Sequence, residues 1–421
     1  MSTANQSTTC QIIERHDGFM SLNYPRYPIA MAQGDGCRLR DADGRQYLDM
    51  FSSFGAALLG HCHGDLVAAL QVQAGRLWHA GNLMHAEPQT RAAEAIARTG
   101  FNGRSFFCHS GADANEAAFK LARLFGRARP APDGSARYQI ICMDRSFHGR
   151  SFGTMAATGT PSVRQGFEPP IEGFVHVPYN DAGAVKEAIN PLTVAVIVEP
   201  IQGEGGVHVP DDDYLPALRR LCDENDMLLI CDEVWTGCGR TGRYFAHQHW
   251  SIEPDIMTLA KGVGGGLPVA VMCAKPQLAE LYNCATQGGV KHATTLGGNC
   301  LGTAVTTAIF EVLARDGLVE QAATLGDHAM QRLRRFAERC DLIKQVRGKG
   351  MFIGIELVET SKTSFPDPAA VISRRCLEKG LIINGTQQTI LRLAPPLIAT
   401  RDEIDEGLDM LEGVVEAFGA G

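Results

Sequence analysis

The sequence predicts an α/β protein with a largely parallel sheet in a large domain and a second, smaller α+β domain. From about residue 66 onward, amphipathic segments alternate with short apolar runs, which cover residues 105–108, 139–143, 194–198, 227–231 and 269–273. Continuous apolar runs of this length are typical of strands that are buried on both faces and joined by crossover helices. A regular alternation of such strands and helices is the pattern of a parallel α/β sheet.

The pattern changes twice along the chain, and these changes predict the domain boundaries. Residues 1–65 hold short extended pieces on either side of the turn Asp43-Gly44, and we expect this segment to contribute to the small domain. Residues 66–305 form the predicted large domain. Residues 306–421 begin with a helical stretch and continue with mixed strands and helices, which predicts the C-terminal small domain. A chain of 421 residues accommodates two or three domains of ordinary size.

Composition narrows the class of protein. The net charge is −8, which argues against a general nucleic-acid binder because such a protein needs a basic surface. The 13 cysteines are scattered and form no C-x-x-C pair, so we expect free thiols in a reducing compartment. The N-terminus is polar and no run approaches the ~20 apolar residues of a membrane span. We therefore expect a cytoplasmic protein that binds neither membrane nor nucleic acid.

Polar side chains stand where several of the predicted strands end. Glu199, Asp232 and Lys261 each come directly after an apolar run. Because open α/β sheets bind ligands at the carboxyl ends of their strands, we expect these two carboxylates and the amine to lie at one rim.

An anion site is predicted where the run 105–108 leads into an amphipathic helix. Ser110 and Asp113 fit an N-terminal cap, and Gly111 allows close approach of a ligand to the backbone. Free N–H groups and the helix dipole at this point attract anions. A capped helix without a ligand is the simpler alternative for this segment taken alone.

Asp232 and Lys261 add two further parts of a site. A buried aspartate can keep a pyridine nitrogen protonated, or it can cap the following turn. Lys261 precedes Gly262-Val263-Gly264-Gly265-Gly266, and a desolvated lysine beside such an open backbone can act as a nucleophile; a solvent-facing lysine is the alternative. An anion cradle, a carboxylate and a nucleophilic lysine together predict a pyridoxal-phosphate site.

Longer motifs in the same order identify a family that the chain resembles. They are Ser110-Gly111-Ala112-Asp113-Ala114-Asn115-Glu116-Ala117, Ser146-Phe147-His148-Gly149-Arg150, Glu199-Pro200-Ile201-Gln202-Gly203-Glu204, Asp232-Glu233-Val234, Gly239-Arg240-Thr241-Gly242, Leu259-Ala260-Lys261-Gly262 and Thr295-Leu296-Gly297-Gly298-Asn299. The chain resembles the class III aminotransferases of fold type I from Tyr24 to about Leu397. Its motifs are most similar to those of the members that act on acetylornithine.

The resemblance implies roles for the residues around the cofactor. Lys261 carries pyridoxal 5'-phosphate covalently and moves the proton during transamination, and Asp232 pairs with the pyridine nitrogen. Gly111 and Ala112 bind the phosphate through backbone N–H groups. The other residues expected at the cofactor are Ser110, Phe147, which stacks on the ring, His148, Glu199, Val234, Trp235 and, reaching the phosphate of the neighbouring subunit of a homodimer, Thr295.

The resemblance also implies how the substrates are held. Arg150 binds a substrate carboxylate, Arg392 is a second carboxylate clamp, and Glu204 pairs with Arg392. Arginine suits these roles because its planar fork matches a carboxylate. Tyr24 and Thr294 complete the expected substrate site. The expected reaction moves an amino group from an ω-amine, N2-acetylornithine first, to 2-oxoglutarate.

Four positions depart from the usual pattern of the family. Trp235 stands where glutamine usually contacts the phenolic oxygen of the cofactor, and Phe54 stands where the ornithine enzymes have tyrosine. His109 replaces a common asparagine, and Cys300 replaces a proline. These differences leave ornithine, succinylornithine and other ω-amines open as donors.

Two other function classes stay open from the sequence. Gly237-x-Gly239-x-x-Gly242 matches the dinucleotide-binding fingerprint and would suit a nicotinamide-dependent oxidoreductase, but it leads into aromatic residues rather than into a clear helix. A catalytically silent cofactor-binding protein is the third alternative, which intact Lys261 and Asp232 oppose. The segments His61-Cys62-His63 and His247-Gln248-His249 lack the spacing of a zinc site, so no metal is expected.

Overall fold

A computed structural model describes residues 7–359 and 365–419 of the chain. Its N-terminal part combines short helices with an antiparallel ribbon in which β1 pairs with β2 and β2 with β3. The elements of this part are α1 (Thr8–Phe19), β1 (Met31–Asp35), β2 (Arg38–Asp41), β3 (Gln46–Asp49), α2 (Ser52–Gly55), α3 (Gly64–Ala74) and α4 (Glu87–Ala97).

The middle of the chain alternates strands and helices, as its sequence predicts. Its elements are β4 (Arg104–Cys108), α5 (Gly111–Ala128), β5 (Gln139–Met143), α6 (Phe152–Ala157), β6 (Phe174–Val177), α7 (Ala182–Ala188), β7 (Thr193–Val198), α8 (Tyr214–Glu224), β8 (Leu228–Asp232), β9 (Ile256–Leu259), β10 (Ala270–Ala274) and α9 (Pro276–Ala279).

These strands form one central sheet. Within the described residues it has seven strands in the order β4-β10-β9-β8-β7-β5-β6. Strand β10 runs antiparallel to both of its neighbours, and the other pairs are parallel. This confirms the predicted α/β fold with a mostly parallel mixed sheet.

The central strands are apolar throughout because both faces of the sheet are covered. All six residues of β7 are buried. Its alternate side chains enter two different cores: Val196 and Val198 join the core that includes residues of α8, whereas Ala195 and Ile197 join the core that includes residues of α5. Because both faces are buried, the sequence of the strand shows a continuous apolar run instead of alternating apolar and polar residues.

The C-terminal part holds a second sheet packed beside long helices. Its elements are α10 (Cys300–Arg315), α11 (Leu318–Ala337), β11 (Ile343–Lys349), β12 (Phe352–Leu357), α12 (Pro368–Lys379), β13 (Leu381–Ile382), β14 (Asn384–Thr386), β15 (Ile390–Leu393) and α13 (Arg401–Gly419). Strands β11, β12, β15 and β14 pair in that order, and β13 pairs in parallel with β3 of the N-terminal ribbon. That pairing joins the C-terminal part of the chain to the N-terminal ribbon.

Several details bear on the sequence-based expectations. The predicted boundary at residue 305 lies inside α10, and the division into domains stays a prediction. The segment with the dinucleotide fingerprint forms turns that lead into a short 3-10 helix, Ala246–Trp250. None of the described helices is long and apolar enough to cross a membrane. Across residues 7–359 and 365–419, no group of three His, Cys, Asp or Glu side chains is placed to hold a metal ion.

Candidate active site

A cavity of about 360 Å³ opens where β8 and β9 end and α5 begins. Most of the residues that the sequence singles out meet there. Those that line it are Ser110, Gly111, Ala112, Phe147, His148, Arg150, Glu199, Glu204, Asp232, Val234, Trp235 and Lys261. The expectation that the polar residues after successive strands share one rim agrees with this placement.

One wall of the cavity is the start of α5. Ser110 caps the helix: its Oγ accepts a hydrogen bond from the backbone N–H of Asp113 at 3.2 Å and donates to the Asp113 carboxylate at 2.6 Å. The first N–H groups of a helix have no acceptor within the helix, and here they belong to cavity-lining residues. A Cβ atom on Gly111 would lie 3.0 Å from a methyl group of Val234, so glycine suits this closely packed part of the wall. The arrangement suits an anionic group such as a phosphate.

Asp232 is the last residue of β8. Its side chain is only 3% exposed, and three hydrogen bonds hold its carboxylate. Its Oδ2 accepts from Asn115 Nδ2 at 2.8 Å and lies 2.8 Å from His148 Nδ1, and its Oδ1 accepts from the backbone N–H of Val234 at 3.0 Å. A carboxylate only accepts, so Nδ1 of His148 carries the hydrogen.

Asn115 is a residue of this site that the sequence reasoning did not single out. Besides Asp232, it bonds the His148 carbonyl at 2.8 Å, and its own Oδ1 accepts from Thr258 Oγ1 at 2.8 Å. Asn115 lies on the apolar face of α5, and a buried amide there requires partners. A polar residue among alanines is the feature of the sequence that could have revealed this role of Asn115. The network fixes the orientation of the Asp232 carboxylate.

Lys261 follows β9 and points its amine into the cavity region beside Trp235. Its backbone φ is +48°, a left-handed conformation that is uncommon for a residue other than glycine. Its Nζ lies 4.0 Å from the centroid of the Trp235 ring system. Burial lowers the pKa of the amine below its usual value, while the carboxylates of Glu204, Asp232 and Glu199 act in the opposite direction. A lower pKa leaves more of the lysine in its nucleophilic, neutral form.

Glu199 is buried against the backbone between two other parts of the site. Its carboxylate accepts from the N–H groups of Phe147 at 3.1 Å and Gly203 at 3.3 Å. Burial raises the pKa of Glu199 to about 8, and the nearby charge of Asp232 adds to this shift. Glu199 thereby ties the Phe147 loop to the segment that carries Glu204.

Arg392 and Glu204 are in contact, as the resemblance implies. Arg392 Nη1 lies 3.0 Å from Glu204 Oε2 and donates to the Gly203 carbonyl at 2.9 Å. The Arg392 side chain is only 1% exposed and is not among the residues that line the cavity. Burial lowers the pKa of its guanidinium, and the Glu204 carboxylate acts against that shift. Arg392 therefore lies behind the cavity wall rather than on its surface.

Besides Arg392, three residues expected at the site lie outside this cavity. Tyr24 is exposed near Arg26. Thr295 is exposed, and Thr294 contacts the rim, where its Oγ1 lies 3.2 Å from His109 Nδ1. Within one chain, the structure does not bring Tyr24, Thr294 or Thr295 into the cavity.

The residues present fit a planar pyridine that carries a phosphate. The N-terminal residues of α5, the Asp232 carboxylate and the Lys261 amine all line the same cavity. His148 Nε2 is buried without a hydrogen-bond partner among the described residues, so the site has a polar atom to offer. Phe147 supplies an aromatic side chain at the same cavity.

Comparison with known proteins gives a consistent result along nearly the whole chain. The sequence profile of the family described as Aminotransferase class-III matches residues 19–415. The acetylornithine aminotransferase of Caldanaerobacter subterraneus subsp. tengcongensis is 42% identical over 397 residues, which cover 94% of this chain and 97% of that protein. The protein of the same name from Methanocaldococcus jannaschii is 40% identical and covers 93% of this chain and 94% of its own length.

Solved structures agree with these sequence relatives. The ornithine aminotransferase of Toxoplasma gondii, in which pyridoxal phosphate partially occupies the active site, has a TM-score of 0.92 at 29% identity and covers 99% of this chain and 96% of its own. The acetylornithine aminotransferase of Elizabethkingia anophelis has a TM-score of 0.84 at 31% identity and covers 97% of this chain and 99% of its own.

Proposed function

The chain belongs to the class-III aminotransferases, and from this premise we propose that it moves an amino group from N2-acetylornithine to 2-oxoglutarate, giving an aldehyde and glutamate. The family resemblance drawn from the motifs is confirmed, and with it pyridoxal phosphate as the cofactor and transamination as the reaction class. The choice of donor is supported by curated relatives that are 38–42% identical and are named acetylornithine aminotransferases. The choice of an ω-amine rests on one observation. Arg392 is paired with Glu204 and is therefore not available to a substrate carboxylate, whereas Arg150 lines the cavity.

We assign the chemistry to the residues whose geometry fits each task. The bound cofactor supplies an electron sink for the bonds at the amine carbon. Lys261 would carry it and then move a proton as the acid and base of the reaction. Asp232 would hold the pyridine nitrogen protonated, and the N–H groups of Gly111 and Ala112 would bind the phosphate. Phe147 would lie against the ring.

Substrate recognition must serve two different molecules in one pocket. The amine donor has a terminal amine and a distant carboxylate, and 2-oxoglutarate has a keto group beside one carboxylate and a second carboxylate at the far end. Arg150 is exposed at the cavity and suits the distant carboxylate in both cases. Arg392 suits the carboxylate beside the keto group. When a terminal amine is bound, Glu204 neutralises Arg392, because an unpaired buried charge is costly.

The two half-reactions should respond in opposite ways to substitutions in this pair. Glu204→Ala should slow the half-reaction with acetylornithine about tenfold, the size of a lost charge-assisted hydrogen bond, and spare the half-reaction with glutamate. Arg392→Ala should mainly slow the half-reaction with 2-oxoglutarate. Single-turnover absorbance changes measure each half separately. Equal loss in both halves for both variants would mean that the pair is structural and not a substrate switch.

We also propose a homodimer in which each active site is completed by the partner subunit. Support comes from a face near Thr295 that exposes large apolar side chains, including Trp78, Leu83 and Leu296. Two hydrogen bonds join the segments that form this face: Asn82 Nδ2 to the Thr294 carbonyl at 2.9 Å and the Cys300 N–H to the Trp78 carbonyl at 3.0 Å. Apolar faces of this kind mark interaction sites.

Mixed dimers test whether sites are shared. A Lys261→Ala subunit paired with a Thr295→Ala subunit should regain one intact site, so activity should approach half that of the parent dimer. Each variant as a homodimer is the control and should be impaired. Verified mixed dimers that are no more active than the homodimeric variants would place both residues in the same subunit's site.

The proposed donor is tested with a panel of amines and 2-oxoglutarate. We expect turnover of acetylornithine above that of ornithine, succinylornithine and 4-aminobutyrate, followed as formation of glutamate. Phe54 has no hydroxyl where the ornithine enzymes have tyrosine, which disfavours the charged α-amine of free ornithine. Faster turnover of ornithine or 4-aminobutyrate would overturn the donor and leave the aminotransferase assignment in place.

A further inference from the structure

Trp235 is in contact with two basic side chains, those of Lys261 and Arg392. The Lys261 amine is 4.0 Å from the centroid of its ring system, and the Arg392 guanidinium carbon is 4.6 Å from it. Trp235 and Lys261 line the cavity, and Arg392 does not. The indole therefore forms part of the wall that separates Arg392 from the cavity.

Each nitrogen of the guanidinium behind this wall already donates a hydrogen bond, and four of its five N–H donors are engaged. Asn384 Oδ1 accepts from Nε at 2.9 Å and from Nη2 at 2.5 Å, while Nη1 serves Glu204 and the Gly203 carbonyl. The rings of Phe51 and Phe54 lie 5.6 and 5.9 Å from the guanidinium carbon. Movement of Glu204 frees one donor but leaves the aromatic cover in place.

The indole can leave its position without losing a hydrogen bond. Its Nε1 is buried and has no partner within the described ranges of the chain. The ring fits only because Gly55 and Gly203 have no side chains: a Cβ atom on either would lie 2.7 or 2.5 Å from it. The ring is held by contact with the two basic side chains and with the rings of Phe51, Phe54 and Phe352, whose centroids are 6.1, 5.9 and 5.0 Å away. Such contacts are lost without leaving a polar group newly unpaired.

We propose that Trp235 is a cover over Arg392 that selects between the two reaction partners, an inference that rests on the proposed function. A terminal amine binds with the cover closed, since it has no carboxylate beside the reacting nitrogen. A molecule with a carboxylate beside its reacting carbon binds through Arg392 only after both Glu204 and the indole move. Trp235 is thus a specificity-determining residue that weakens the binding of 2-oxoglutarate and glutamate relative to ω-amines.

Glutarate is a suitable probe, because it has the two carboxylates of 2-oxoglutarate and no reacting group. In calorimetric titration of the cofactor-loaded protein, Trp235→Gln should bind glutarate about tenfold more tightly than the parent. The gain is expected because no free energy is then needed to move the indole. Arg392→Ala should abolish that gain when it is combined with Trp235→Gln. Trp250→Gln is the matched control, since Trp250 is also buried with an unpaired Nε1 and lies over a lysine, at 5.3 Å, yet is not placed against Arg392. It should bind glutarate as the parent does.

Movement of the ring can be observed without substituting it. Trp78 and Trp250 are the other tryptophans of the chain, so a Trp78→Phe/Trp250→Phe protein emits only from Trp235. Saturation with glutarate should change that emission, whereas 4-aminobutyrate before turnover should not. Unchanged emission with glutarate, or equal glutarate affinity of Trp235→Gln and parent, overturns the cover. Failure of the proposed function is distinguishable, because it appears as absence of transamination by the parent protein with every amine in the panel.

Discussion

Lys261→Ala should reduce transamination by about 10³-fold or more, since it removes the acid and base of the reaction together with the covalent attachment of the cofactor. The amine is the only lysine amine that lines the described cavity, and its lowered pKa makes it the nucleophile available there. The variant should keep its fold, because the glycines after Lys261 and the buried strand before it are unchanged. Turnover of acetylornithine with 2-oxoglutarate measures the loss.

A covalent label separates this role from a merely structural one. Borohydride reduction of the loaded parent protein should fix the cofactor to the peptide that contains Lys261, and Lys261→Ala should take up no label. Lys349→Ala is a matched control, because the Lys349 amine also lies over a tryptophan ring, 5.3 Å from Trp250, outside the cavity. That variant should be labelled at Lys261 as the parent is. Label on another lysine would remove Lys261 from the centre of the reaction.

Much of the fold could be predicted because its central strands are covered on both sides. Runs of four or five apolar residues have few alternatives in a chain that alternates them with amphipathic segments, and Gln139–Met143 matches its predicted run residue for residue. Other strands begin or end one residue away from the run: β8 includes Asp232, whose polar side chain the sequence pattern places after the strand. Hydrogen bonding sets the end of a strand, and side-chain polarity reports it only indirectly.

Site residues could be predicted from the sequence where the functional group of the side chain itself performs the task. Lys261, Asp232 and Ser110 stand out because an amine, a carboxylate or a hydroxyl directly after an apolar run indicates a functional site. Asn115 was missed because its role is to orient another residue, and such a role depends on distances between α5, β8 and β9 that no local pattern encodes. These distances follow from helix packing on the sheet.

The aromatic surroundings of Arg392 were missed for a related reason. Phe51 belongs to the N-terminal part of the chain, Trp235 to the middle and Phe352 to the C-terminal part, and they meet only in the folded protein. Phe51 and Phe352 are ordinary apolar residues in their own segments, and the sequence singled out Trp235 for the cofactor rather than for contact with Arg392. Tyr24, Thr294 and Thr295 show the opposite limit, since motif resemblance assigns them to the site and the structure does not place them in the cavity.

Asp232→Asn should lower kcat by about 10²- to 10³-fold, the size of the loss when one preorganised electrostatic group is removed from an active site. The carboxylate now receives hydrogen bonds from Asn115, His148 and the Val234 N–H. An amide of the same shape turns an N–H₂ group toward at least one of these donors, and it has no charge to hold the pyridine nitrogen protonated. Binding of the cofactor should weaken less than catalysis, because the start of α5 and Lys261 still hold it. Steady-state kinetics and the absorbance of the loaded variant measure the two effects separately.

Asn115→Ala provides the graded comparison that identifies the cause. It keeps the charge of Asp232 and removes one of its hydrogen bonds, and it leaves Thr258 Oγ1 without the Asn115 acceptor. One hydrogen bond to a charged group contributes about 1.5–3 kcal/mol, so kcat should fall by about 10- to 100-fold, and by less than in Asp232→Asn. The Tm of both variants must be measured, since a buried network also stabilises the fold. If Asp232→Asn keeps kcat within about threefold of the parent while Asn115→Ala loses more, the charge is dispensable and the network acts through packing alone. The predicted order, in which loss of the charge costs more than loss of its support, follows only if Asp232 meets the cofactor as a carboxylate.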